Sequence, residues 1–274
     1  MRSERGDRVD GGRARPARLA ALYFRVGAMN ELQYRANLAV QVVQSILALG
    51  TGLVVLALVF SRTDELRGWT RPELLVVLGV FTLMGGIIRT FIQPNMQRLI
   101  EDVRDGKLDF LLTKPEDAQL LVSVREVRIW QLVDVLTGAV VLAVGLVQLE
   151  RVTGVGDAAA FVGLLLLGVV MIYCFWLMLT TGAFWFVRMD QVQELFDGVY
   201  RAGQYPVAIY PGWLRISLTF LVPLAFAITV PSEAMTSRLH GSTVALAFAV
   251  AAGLVVASRL LWRAGMRRYS GASA

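Results

Sequence analysis

Six apolar stretches recur along this chain, each long enough for a helix to cross a bilayer, and they constrain the fold more than any other feature. A helix rises about 1.5 Å per residue, so roughly 20 apolar residues cover the ~30 Å hydrocarbon core. The runs lie at about 38–60, 74–93, 129–149, 158–187, 207–230 and 242–262. The fourth would be roughly 45 Å long as one helix, so it is expected to tilt, kink or continue into the interface. Pro206, Pro211 and Pro223 interrupt the fifth. With 56% hydrophobic and 18% charged residues, a soluble domain of 274 residues could not hide so much apolar surface. The expected fold class is an all-α polytopic membrane protein with six transmembrane helices and both termini on one side.

Orientation follows from the basic residues in the connections. If the N-terminus is inside, the inner segments 1–37, 94–128, 188–206 and 259–274 hold 20 of the 27 Lys and Arg. The opposite loops 61–73, 150–157 and 231–241 hold 5, which favours an N-in, C-in topology. The net charge of +6 then points to anionic headgroups and not to nucleic acid. Residues 1–18 carry charge but no apolar run, and are expected to form a disordered cytoplasmic tail. A cleaved signal is not expected, because the first long apolar run begins only at Leu38 and is long enough to span. At the other end, 266–274 is a short cytoplasmic tail following a six-span domain over 19–265. One cysteine, Cys174, and one histidine, His240, cannot build a Cys/His metal centre.

Two connecting segments carry patterns of their own. Leu19, Leu22, Val26, Met29 and Gln33 recur at helical spacing, while Arg18 and Arg25 share another face. This predicts an interfacial helix over 19–36 in the inner leaflet. Between the second and third spans, Pro94 and Pro115 mark breaks and Gly106 marks a helix stop. Within this charged loop Leu108, Phe110, Leu111 and Leu112 form an apolar knot, which must press on the membrane, on the chain itself or on a partner. Ser123-Val-Arg-Glu126 has the form of a capping box for the helix that becomes the third span.

The glycine, Leu-Asp, proline loop Gly106-Lys-Leu108-Asp109-Phe110-Leu111-Leu-Thr-Lys-Pro115, the inner-leaflet helix, the six spans and the run Tyr205-Pro206, Arg215, Pro223, Pro231 together resemble permease subunits of type-2 ATP-binding-cassette (ABC) exporters. The likeness covers roughly residues 19–265 and is nearest to the small bacterial branch whose permease is a separate polypeptide. It implies a permease dimer, identical or paralogous, in the bacterial cytoplasmic membrane, with separate cytoplasmic ATPase subunits that bind ATP and Mg. It also implies a coupling helix after the second span, seated in a groove of the ATPase, with Gly106, Leu108, Asp109, Phe110, Leu111 and Pro115 as its coupling residues. Cargo would move between the permease halves, largely along their second and fifth spans, and a re-entrant turn would follow near Pro231. The chain carries no phosphate-binding loop of its own: the one Gly-Lys pair, Gly106-Lys107, is followed by leucine where the motif needs Ser or Thr.

Ionisable groups inside spans are costly, at about 2.5–3.5 kcal/mol for a central Asp or Arg, and are therefore functional candidates. Asp134 lies within the third run, where it either pairs with an arginine or takes part in transport. Arg89 is near the inner end of the second and can snorkel. Arg215 either lines the pathway or pairs with Asp134 or Glu194. Phe81, Met84 and Phe220, with Phe91 and Phe226, lie on the two spans expected to face the cavity, although side chains at such spacing more often pack a core. Gly79, Gly85 and Gly86 are expected to permit close helix approach. The competing functional class is an ion- or proton-coupled secondary transporter acting without an ATPase, for which Asp134 would be essential. An intramembrane enzyme would need a nucleophile with its base, or metal ligands, that these residues do not supply.

Overall fold

A backbone surrounded by hydrocarbon has to satisfy its own N–H and C=O groups, and the long apolar runs do so as helices. The computed structural model describes residues 35–113, 117–150, 154–185 and 191–269. Tail 1–18, nearly all of the interfacial helix, Pro115 and the last five residues lie outside that set. The helices are α1 (Arg35–Phe60), α2 (Arg71–Ile87), α3 (Gln93–Arg104), α4 (Asp109–Leu112), α5 (Ala118–Val124), α6 (Leu132–Gln148), α7 (Val155–Thr181), α8 (Val192–Tyr200), α9 (Gly212–Ile216), α10 (Val230–Met235) and α11 (Gly241–Arg268). Five helical rods are long and apolar enough to cross a membrane: 37–60, 71–104, 129–148, 155–184 and 241–268. The protein is thus an all-α, multi-pass membrane protein.

The second rod runs for 34 residues, well past the 74–93 expected for it. Pro94 does not end it, because a π turn over Ile88–Ile92 joins α2 to α3. Pro94 has no N–H to offer the carbonyl of Thr90, four residues back. That carbonyl accepts instead from the backbone N–H of Arg128 at 3.1 Å, and the Phe91 carbonyl accepts from Asn95 Nδ2 at 2.8 Å. The break in the ladder is thereby satisfied by the chain that returns toward α6.

No straight helix covers 207–230. Helix 212–221 and helix 225–235 meet at an angle of 77°, giving a sixth span that is broken, or a re-entrant hairpin. Pro223 sets the corner: it disfavours the helical conformation at the residue before it, and Val222 is extended at φ −116°, ψ 97°. The helical path that leads to this pair starts at Val192, before the prolines. Its Asp197 meets Gln93, and its Gln204 amide lies beside Gly52 and Leu78, so over the roughly 10 Å from Asp197 to Gln204 it runs antiparallel to the second rod. Pro231 falls inside the continuous helix 225–235, directly after a π turn over Ala225–Thr229, much as Pro94 follows the π turn over Ile88–Ile92.

The core is centred on α2, in which every residue from Leu74 to Val80 is buried. Its main neighbour is α6, and the two backbones touch through glycines seven residues apart on each helix. A Cβ on Gly79 would sit 2.5 Å from the Leu142 nitrogen, one on Gly86 2.6 Å from the Val135 nitrogen, and one on Gly138 would strike the Leu83 backbone. Gly85 does not join this seam; its bare face accommodates the Arg89 and Tyr200 side chains. A second layer packs α7 against α11 and the bent pair, with Gly168 against Ala227 and Gly265 against Phe184. In contrast α1 exposes Val40, Val43, Ile46, Leu47, Val54 and Leu58, as a lipid-facing helix does.

At the end of the bundle where α2 begins, Glu73 ties the connections together. Its carboxylate accepts from the Thr70 N–H at 2.8 Å and takes both sides of the Arg238 guanidinium at 2.7 and 2.8 Å. Arg238 also covers the Trp69 ring at 4.8 Å, so Trp69 is buried beneath a cation.

Candidate functional site

Polar side chains that the apolar runs carry singly are brought together in one place. A cavity of about 660 Å³ lies between α1, α2, α6 and the segment from α8 to Gln204. Arg89 reaches it from the π turn, whose extra residue shifts the face on which the side chain emerges. Its Nη2 donates to Asp134 Oδ2 at 2.7 Å, across from the start of α6. The same oxygen accepts from Gln41 Nε2 at 3.1 Å, and Gln41 Oε1 accepts from Gln131 Nε2 at 2.9 Å. The relay from Gln131 through Gln41 and the Arg89 guanidinium thus converge on one carboxylate oxygen. A charge-assisted hydrogen bond and an amide relay of this kind make a buried carboxylate tolerable where its hydration has been lost. The Asp134 side chain is only 6% exposed, whereas Arg89 keeps 37% open toward the cavity.

The opposite wall comes from α8. Tyr200 is buried, donates its hydroxyl to the Phe81 carbonyl at 2.8 Å and stacks on the Phe81 ring at 4.9 Å. Phe196 stacks on Tyr200 at 5.7 Å and continues the aromatic layer to Trp176 at 4.8 Å. Asp197, half-buried, accepts from Gln93 Nε2 at 3.3 Å.

Arg89, Asp134 and Phe81 therefore share one cavity, and three other candidates do not. Met84 is fully buried in the core. Phe220 stands half-exposed on the bent pair, edge-on to Phe226 at 6.4 Å. Arg215 pairs with neither Asp134 nor Glu194; its Nη2 donates to the carbonyls of Ala208 at 2.9 Å and Tyr210 at 3.4 Å, closing the turn ahead of α9. Sequence patterns do not single out Gln41, Gln131, Asp197 or Tyr200. The two glutamines at 41 and 44 inside an otherwise apolar run are the available signal, since an amide in a span needs a partner.

The second candidate is the connection after α3. Gly106 ends that helix with φ +69°, a left-handed conformation suited to glycine, and the Lys107 N–H donates to the Asp102 carbonyl at 2.8 Å to complete a Schellman closure. Leu108 is then fully buried in the chain's own core, which removes it from any surface a partner could touch. Asp109 opens the single turn α4, and Phe110 beside it is 76% exposed. The Leu111 side chain and Pro115 fall outside the described residues.

The chain from Asp117 to Glu126 is fastened at several points. Asp117 caps α5, accepting from the N–H groups of Gln119 at 2.8 Å and Leu120 at 3.3 Å. The same carboxylate takes Arg259 Nη2 of α11 at 2.5 Å, and Arg259 also donates to Gln119 Oε1. Gln119 and Ser123 reach Tyr173 of α7 at 3.3 and 2.7 Å. On the other side Asp102 of α3 takes Arg125 at 2.6 Å, and Asn95 makes reciprocal bonds with the Glu126 backbone at 2.8 and 2.9 Å. Ser123 is not the cap of the next helix as the sequence suggested: its hydroxyl donates back to the Gln119 carbonyl inside α5. The stronger cap is Asp117, since its carboxylate accepts two N–H groups at once.

The Arg259 guanidinium, against the cost of partial burial, holds the Asp117 carboxyl below its ordinary range. A group depressed on folding stabilises the fold above its unfolded pKa of about 3.9 and loses that contribution as pH falls through the folded value. The strap should therefore be intact from about pH 5 upward and fail only below about pH 4. Both side chains are about two-fifths exposed, so it contributes no more than about 1 kcal/mol. Thermal unfolding against pH should show an acid limb that Asp117→Asn flattens.

A family model described as ABC-2 family transporter protein matches residues 46–273. No curated protein and no solved structure matches the chain.

Proposed function

The chain belongs to the ABC-2 family of transporter proteins, and from that premise we propose that it is the permease subunit of an ATP-driven exporter. Two such chains, identical or paralogous, form the pathway in the bacterial cytoplasmic membrane, N-in and C-in. Separate cytoplasmic ATPase subunits bind ATP and Mg and supply the energy, because this polypeptide contributes no nucleotide site. Its own contribution is two packings of the same helices, between which the ATPases drive it.

The observation that carries the reading is the exposed ring of Phe110 on a one-turn helix, between the buried Leu108 and the segment from Asp117 to Glu126 that is fastened to its neighbours. A large apolar side chain 76% exposed in a charged loop fits insertion into a groove of another subunit. The loop is attached to α3, α7 and α11, so a push on it is transmitted to three membrane helices and not to the second span alone. The cavity behind Arg89 and Asp134 is the place where such motion meets cargo. A gradient-driven transporter would need Asp134 to exchange protons or ions freely, and Asp134 is already engaged by Arg89 and Gln41.

Phe110→Asp should leave the chain folded and membrane-inserted while cutting its co-purification with the ATPase by about tenfold or more, the scale of losing one apolar anchor. A folded variant that retains full ATPase binding would remove the coupling assignment. Flux that persists with no ATPase present would favour the secondary transporter.

A further inference from the structure

The cavity's charges are not all paired, and the unpaired ones are arranged in a way that selects for a ligand class. Arg89 is engaged by Asp134. Asp197 and Arg201 also line the cavity, four residues apart and so about 6 Å along the α8 path on one face. Among the described residues neither forms an ion pair, and Asp197 has a single amide donor at 3.3 Å. One carboxylate and one guanidinium are therefore presented side by side, within electrostatic reach of each other but with no direct ion pair between them. Leu49, Leu78 and Phe81 line the same cavity.

A singly charged ligand would satisfy one of these groups and press its charge, or its desolvated edge, against the other. A zwitterion with its charges a few ångströms apart satisfies both. The volume of about 660 Å³ lies within the range of small-molecule sites and leaves room for an attached chain on the apolar wall.

We propose that this cavity takes an amphiphile with a zwitterionic, phosphate-and-ammonium type of headgroup, the cation against Asp197, the anion against Arg201, and the chain along Leu49, Leu78 and Phe81. This rests on the reading of the chain as a transport subunit, and it names the class of cargo.

The test uses the full-length chain in a neutral maltoside detergent, without an ATPase, and counts bound ligand by native mass spectrometry. The probes are dihexanoyl phosphatidylcholine, its anionic phosphatidylglycerol counterpart, a cationic dihexanoyl trimethylammonium lipid, and chain-free glycerophosphocholine. The wild-type chain should bind the zwitterionic lipid at least about fivefold more tightly than either singly charged lipid. Asp197→Asn should raise affinity for the anionic lipid, and Arg201→Gln should raise affinity for the cationic one. Opposite shifts of this kind cannot come from misfolding. Equal binding of the three lipids, or the same shift in both variants, overturns the proposal. Chain-free headgroup binding as tightly as the lipid would overturn the amphiphile part, making the ligand a soluble zwitterion. Because no ATPase is present, the predicted binding can hold for a chain that never engages an ATPase, and can fail for one that does, so the two readings fall separately.

Discussion

Replacing Gly138 by leucine should destabilise the bundle by about 3 kcal/mol or more, at the upper end of what overpacking costs. A side chain there would strike the Leu83 backbone, and Gly79 on the facing helix leaves no slack because it touches Leu142 in the same way. The glycines allow α2 and α6 to approach at backbone distance, which is how helices gain dispersion contacts in a solvent as apolar as they are. Leucine can be accommodated only if the two helices separate, and α2 is the centre of the core. The control is Gly253→Leu on α11, where an added Cβ meets nothing within 4 Å and the change should not destabilise, the loss of a helix-interior glycine contributing up to about 1 kcal/mol in favour of the helix. Thermal unfolding of both variants in the same detergent, followed by size-exclusion fluorescence, separates the two outcomes. Equal melting of Gly138→Leu and wild type would mean that the seam is not packed as described.

The second large effect is expected at the intramembrane ion pair. Arg89→Ala leaves the Asp134 carboxylate, 6% exposed, with Gln41 as its remaining side-chain donor among the described residues. Removing one partner from a fully buried pair costs about 3–5 kcal/mol. Arg89 is itself more than a third open to the cavity, so water can soften the loss, and about 2–3 kcal/mol is the expectation here. Asp134→Asn keeps the shape and removes the charge, and should cost less. The double variant Arg89→Ala/Asp134→Asn should recover part of the single-site loss, because the penalty lies in the unpaired charge and not in the missing contact. If the double variant is as unstable as the two single costs added together, the residues are not coupled.

Much of the fold was legible in the residues because a bilayer imposes few solutions. The apolar runs at 38–60, 129–149 and 242–262 correspond closely to α1, α6 and α11. Departures arose where a local rule was overridden by a distant group. Pro94 reads as a helix end, yet the Arg128 N–H, 34 positions downstream, supplies the donor that proline lacks. The segment from Val192 reads as a loop because it carries Glu194, Asp197 and Arg201, whereas in the fold it lines a polar cavity that other helices complete. No periodicity within that segment could show Gln41 or Gln93 waiting for it. Of the residues considered for the loop after α3, Gly106 could be read from its conformational freedom. The different fates of Leu108 and Phe110, two positions apart, required the tertiary packing. Arg89 and Asp134 could each be flagged by the cost of a charge in a span, but their pairing depends on a π turn that no motif announces.

The central claim is that an ATPase seats on the chain at Phe110, and one crosslinking measurement addresses it directly. Phe110→Cys in a Cys174→Ser background gives a single thiol at the exposed turn, and the assembled complex is treated with a short bifunctional maleimide. Formation of a permease–ATPase adduct, suppressed when cysteine is placed instead at exposed Val155 near the opposite end of the bundle, is the predicted result. Labelling of the Phe110→Cys thiol from the outside of intact cells, or an adduct that forms equally well from position 155, would contradict the account.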